Sequence, residues 1–127
     1  MARILLIGLG GFIGSILRYW LSGVAQYAAP RTAFPIGTLV VNVSGCLALG
    51  LLVELAEARG FLAPDTRALV VVGLLGGFTT FSAFANETVN AYRDGAHALA
   101  AVNVLLNVGA SLLAVWAGRS VAHFIWR

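Results

Sequence analysis

The run Gly76-Gly77-Phe78-Thr79-Thr80-Phe81-Ser82-Ala83-Phe84 concentrates more usable chemistry than any other stretch of this chain. Its first half, two glycines followed by an aromatic and two β-branched threonines, is poor helix material. An interruption here, inside a membrane span, frees backbone carbonyls, which lipid tolerates only where protein, water or an ion satisfies them. Such carbonyls could hold a small cation, and the threonine and serine hydroxyls offer donors. Phe81 and Phe84 are three residues apart and share a helix face. A phenyl edge carries partial positive charge, so inward-pointing edges could contact a small anion. The plainer alternative is that both rings are core packing, as most phenylalanines are.

Other polar residues lie in line within apolar surroundings. Gly8, Gly11, Gly14, Ser15, Arg18 and Ser22 recur at three- and four-residue intervals and share one face. Arg18 either snorkels to the interface or faces a water-filled vestibule, where it would attract anions. Thr38, Asn42 and Gly45 form a second stripe. A buried Asn42 would hydrogen-bond a neighbouring helix or border a polar path. Ala100, Asn103, Asn107, Ser111, Ala114 and Gly118 make a small-and-polar face, and three polar side chains in line read as a hydrated track.

The elements that position these residues follow from hydropathy. Of 127 residues, 60% are hydrophobic and 10% charged, and mean hydropathy is +0.92. Soluble domains carry about a quarter charged residues. Crossing the hydrocarbon core takes about 20 largely apolar residues, and segments near 4–27, 36–54, 68–90 and 98–121 qualify. The breaks hold the prolines and most of the charge: Ala29-Pro30-Arg31 to Phe34-Pro35, Glu57-Ala58-Arg59-Gly60 to Pro64-Asp65, and Tyr92-Arg93-Asp94-Gly95. Short turns make consecutive helices antiparallel. Four spans place Arg3, Arg59, Arg67, Arg119 and Arg127 on one side, against Arg31 and Arg93, with Arg18 nearest them. That is a mild positive-inside bias, which permits insertion in both orientations.

Several other classes fall away. Gly8-x-Gly10-x-x-x-Gly14 is a near miss to a dinucleotide fingerprint, but the next carboxylate is Glu54 and no strand–helix alternation follows. These glycines fit close helix packing better. The sequons at Asn42 and Asn86 lie within spans. A cleavable leader is disfavoured by Arg18, Tyr19 and Trp20 interrupting the first apolar run. Cys46, the single cysteine, reads as a small buried side chain. No His, Cys and carboxylate set has metal-ligand spacing, no hydroxyl has a nearby base, and no basic run points to nucleic acid. The sequence is therefore not that of an enzyme. A four-helix proton-coupled drug exporter would need an embedded carboxylate, for which only Glu87 qualifies, and a plain membrane anchor would not explain the aligned polar faces.

Assembled, these residues resemble the Fluc family of fluoride channels, also called CrcB. The resemblance runs through three motifs in order: Gly10-Gly11-x-x-Gly14-x-x-x-Arg18-Tyr19, Gly37-Thr38-Leu39-x-Val41-Asn42-x-x-Gly45, and Gly76-Gly77-Phe78-Thr79-Thr80-Phe81-Ser82-x-Phe84. It implies an all-α membrane protein with four transmembrane helices per subunit, the third broken mid-membrane, in an antiparallel dual-topology homodimer. Residues 1–127 would form one integral-membrane channel domain. The implied function is passive, selective export of fluoride through two pores across a bacterial inner membrane, conferring fluoride resistance. The fluoride pathway would involve Asn42, the ring edges of Phe81 and Phe84, the hydroxyls of Thr38, Thr80 and Ser82, and Asn107 with Ser111. Arg18 would sit at the vestibule. Carbonyls of Gly76 and Thr79, from both subunits, would hold a central structural Na+. Position 83 departs from the family pattern, with Ala where many relatives carry Thr or Ser.

Overall fold

The structure is a computed structural model that describes residues 1–59 and 63–125. All elements among the described residues are helical: α1 (Ala2–Ala28), α2 (Ile36–Arg59), α3 (Pro64–Arg67), a π-helical stretch (Ala68–Leu75), α4 (Gly76–Phe78), α5 (Phe81–Arg93) and α6 (His97–Ile125). Together they make four runs long and apolar enough to cross a membrane: Ala2–Ala28, Ile36–Glu57, Pro64–Arg93 and His97–Ile125. At about 1.5 Å per residue, such helices exceed the roughly 30 Å hydrocarbon core and continue into the interface on either side. Hydropathy marks only the lipid-embedded part, so the sequence-based segments all stop early and, except for the one that begins at Ile36, start late. Of the second expected turn, residues 60–62 lie outside the described residues, as do the side chain of Arg59 and all of Arg127.

The exterior is apolar. Phe12, Trp20, Leu105, Leu112 and Trp116 all point outward, the arrangement expected where the solvent is lipid rather than water. The buried set instead includes Thr38, Asn42, Thr80, Asn103 and Asn107 beside Val41 and several alanines.

Glycines set the helix spacing. α1 packs along the π-helical stretch and α4, and α2 along α6. A Cβ on Gly10 would overlap the Leu69 carbonyl oxygen, and one on Gly14 would overlap that of Leu74. From the other side, a Cβ on Gly77 would lie 2.7 Å from the Gly11 carbonyl oxygen. Backbone meets backbone along this seam, which side chains would prevent. Gly50 and Gly118 perform the same service between α2 and α6, facing the carbonyls of Val115 and Leu47.

The turns have local causes. After Arg93, Gly95 adopts φ 79°, Ala96 N–H donates to the Ala91 carbonyl at 2.9 Å, and Gly95 N–H to that of Tyr92 at 3.1 Å. This Schellman arrangement closes α5 and admits α6 two residues later. Between α1 and α2, the Gln26 side chain accepts from Gly37 N–H at 3.3 Å and ties the ends of the turn together. At one end of the bundle, Arg119 binds Glu54 at 3.1 Å and Glu57 at 2.5 Å, while His123 Nδ1 lies 3.0 Å from Glu54. These pairs join α2 to α6.

Candidate functional site

The glycines of the Gly76–Phe84 run do not themselves depart from helix. Gly76, Gly77 and Phe78 are helical, and Gly77 serves close approach to Gly11 of α1. The departure falls on the two threonines. Thr79 takes φ −79°, ψ 158° and Thr80 takes φ −149°, ψ 111°, both extended. Thr80 then caps α5, its side chain accepting from Ala83 N–H at 3.2 Å.

Asn42 on α2 makes this local conformation possible. Its Oδ1 accepts from Thr80 N–H at 2.8 Å, and its Nδ2 donates to the Thr80 carbonyl at 3.1 Å. The same Nδ2 donates to Asn107 Oδ1 at 3.0 Å. Of the alternatives open in the sequence, Asn42 therefore bonds neighbouring helices, and it also borders a cleft. Two carbonyls lose their usual partners as a result. Gly76 would ordinarily receive Thr80 N–H, which goes to Asn42, and Thr79 would receive Ala83 N–H, which goes to the Thr80 side chain. Gly76 lies on the surface.

Two clefts meet at Thr80. The larger, about 720 Å³, is bordered by Ser15, Arg18, Thr38, Thr80, Ala83 and Glu87 among others. Thr38 donates to Glu87 Oε1 at 2.6 Å, and Glu87 Oε2 is buried without a partner among the described residues. Glu87 therefore engages a hydroxyl rather than Arg93. The smaller cleft, about 290 Å³, is bordered by Asn42, Cys46, Thr79, Thr80, Phe81, Phe84, Asn107 and Ser111. Phe84 is 7% exposed and Phe81 76% exposed; their centroids lie 5.3 Å apart with the rings at 70°. That edge-to-face contact turns a positive ring edge toward a negative ring face. Phe84 thus combines core packing with the cleft wall, while Phe81 projects outward from the surface.

The structure thereby gathers most of the residues singled out in the sequence. Asn42, Thr79, Thr80, Phe81, Phe84, Asn107 and Ser111 share one cleft, and Thr38 and Arg18 share the other with Thr80. Ser82 and Gly76 border neither; the Ser82 hydroxyl is 3.3 Å from that of Thr80. Cys46 is half-buried at the smaller cleft rather than enclosed. Asn103 and Asn107 are both buried and bonded to protein, and of the two only Asn107 borders the smaller cleft, beside Ser111. Thr88 receives the Asn103 amide, a role the sequence does not signal, because a threonine in a helix carries no mark of its partner on another.

Four apolar spans around a polar centre with two clefts define a small multi-pass membrane protein. Residues 5–119 match the model of the CrcB-like protein, Camphor Resistance (CrcB) family, and the chain belongs to that family. It is 48% identical over 121 residues to a protein of Solibacter usitatus, covering 95% of this chain and 98% of the relative. It is 42% identical over 118 residues to one of Methylobacillus flagellatus, covering 93% and 92%. A third, from Elusimicrobium minutum, is 43% identical over 120 residues, covering 94% and 93%. Each of these relatives is named a fluoride-specific ion channel, FluC.

Proposed function

We propose that this chain is the subunit of a fluoride-selective channel that lets the anion leave the cytoplasm passively across a bacterial inner membrane. The observation that carries the reading is Thr80, the shared wall of the two clefts, with Arg18 on one side and the Phe81–Phe84 pair on the other. A small, strongly hydrated anion entering the larger cleft meets a guanidinium. Continuing past Thr80, it meets hydroxyls and ring edges that replace part of its lost hydration. Such a path must also release the ion, which favours several weak contacts over one strong one.

In this proposal two copies pair antiparallel, each inserted in the opposite sense, and enclose two pores. The outward projection of Phe81 supports it, since a ring so exposed beside a polar cleft needs a partner surface to complete the wall. A structural Na+ would sit between the copies. The donor set fits, because Gly76 and Thr79 each carry a carbonyl without its helical amide, and hard cations take oxygen ligands of this kind. Bound there, Na+ would offset repulsion between the two anion paths.

The test is flux. Purified protein is reconstituted in vesicles loaded with potassium fluoride or potassium chloride, and valinomycin is added to carry the potassium. Fluoride should leave while chloride stays. Absence of fluoride efflux, or equal chloride efflux, defeats the proposal.

A further inference from the structure

The hydrogen bonds leaving Asn42 do not end at Asn107. Asn107 Nδ2 donates to Asn103 Oδ1 at 2.8 Å and to the Asn103 backbone carbonyl at 3.3 Å. Asn103 Nδ2 donates to Thr88 Oγ1 at 2.8 Å, and the Thr88 hydroxyl donates to the Phe84 carbonyl at 2.8 Å. One chain of side chains on α2, α6 and α5 thus links the backbone of Thr80 to that of Phe84. Asn103 is 1% exposed, Asn107 4% and Asn42 9%. Neither Asn103 nor Thr88 borders either of the two clefts.

Both ends fix the direction of this chain. Thr80 N–H can only donate, so Asn42 must present Oδ1 to it and turn Nδ2 toward Asn107. Asn107 must then accept through Oδ1 and donate through Nδ2, and Asn103 repeats the pattern. At the far end the Phe84 carbonyl can only accept, so Thr88 donates to it and accepts from Asn103. Flipping any one amide would set N–H against N–H or oxygen against oxygen, an expensive arrangement out of water.

The direction decides what the smaller cleft offers an ion. Both N–H bonds of Asn42 are committed to Thr80 and Asn107, and those of Asn107 to Asn103. The amides therefore act as scaffold, leaving the Ser111 hydroxyl and the phenyl edges to face the anion.

We propose that Asn103 and Thr88 are positioning residues for conduction. They hold the amide chain in one direction and thereby keep the Thr80 and Phe84 backbones, and the ring between them and the ion, in place. This rests on the fluoride-channel reading above.

Thr88→Val removes the acceptor at similar volume, and Thr88→Ser restores it. Both are reconstituted at a density low enough for single channels per vesicle. The fraction of trapped fluoride released then counts folded channels, and the time constant of release reports turnover per channel. Thr88→Val should slow release per channel about tenfold, the effect of one orphaned buried amide, with the released fraction unchanged. Thr88→Ser should return to within about twofold of wild type, as its hydroxyl can accept the same bond. A wild-type time constant in Thr88→Val overturns the inference. So does a reduced released fraction with an unchanged time constant, which would assign Thr88 to folding alone. If Thr88→Val yields no dimer, Asn103→Ser, which shortens the side chain and breaks the same link, is read by the same two quantities. A conducting wild type with an insensitive variant defeats this inference only, whereas a wild type that releases no fluoride defeats the channel reading as well.

Discussion

Asn42 pairs with Thr80 through both halves of its side-chain amide, accepting from the backbone N–H at 2.8 Å and donating to the backbone carbonyl at 3.1 Å. An asparagine amide carries the same donor and acceptor as a peptide group. It therefore stands in for the neighbouring strand that an extended residue would otherwise need. Within a membrane span this substitution allows a helix to stop and restart without leaving either backbone group of Thr80 unpaired.

Replacing Asn42 with Leu should accordingly be costly. Thr80 N–H would be stranded, at roughly 1–3 kcal/mol for a buried unpaired group, and the Thr80 carbonyl, which as the N-cap of α5 also takes the first helical amide, would lose its second donor. Cys46, one turn further along α2 and bordering the same cleft, provides the comparison. Cys46→Ala should change stability by less than about 1.5 kcal/mol, the loss of one small, half-exposed group. Thermal unfolding in detergent measures both, and an unfolding midpoint for Asn42→Leu equal to that of Cys46→Ala would refute the pairing.

The glycines of α1 should divide sharply by position. Gly14→Ala places a methyl onto the Leu74 carbonyl oxygen, whereas Gly23→Ala meets nothing within 4 Å. Gly14→Ala should lose about 1–3 kcal/mol or more, because the clash is with backbone and cannot be relieved by a rotamer change. Gly23→Ala should be neutral or slightly stabilising, since alanine favours helix. Elution profile and unfolding midpoint in detergent report the difference, and equal behaviour of the two variants would contradict the close α1 seam.

Phe81 and Phe84 should separate function from folding. Phe84→Ile alters a buried ring and should destabilise by about 1–2 kcal/mol, as shape changes in a packed core do. Phe81→Ile removes a ring that projects from the surface, so helical content and yield should be retained while fluoride efflux slows. Circular dichroism and vesicle efflux on the same preparations make the comparison. Unchanged efflux in Phe81→Ile would reduce that ring to packing.

The spans were legible because hydropathy and length alone separate lipid-crossing segments from turns, and the α5–α6 turn announced itself through Asp94-Gly95. The position of the extended pair was less so. Propensity marked the whole stretch from Gly76 to Thr80 as weak helix without separating the glycines from the threonines, and it describes a helix alone in water; Gly76 and Gly77 stay helical, Gly77 packed against Gly11 of α1. Thr80 can be extended because a partner 38 residues away in sequence supplies its missing bonds, which no local pattern reveals. For the same reason the shared face of Asn103, Asn107 and Ser111 could be read from spacing, yet not that the first two turn their amides to each other. A side chain's type lists what it can bond; only packing decides what it does bond.

One extended pair of residues has a further electrostatic consequence. The helical run through α4 ends at Phe78 and α5 begins at Phe81, so the partial negative charge of one helix terminus and the partial positive charge of the next are created side by side. Helices that traverse a bilayer without interruption keep those fractional charges at the two membrane surfaces. Here they are brought into the interior of the fold, and they come as a pair of opposite sign. The protein thereby acquires a polarised centre from main chain alone, without burying an additional ionisable residue.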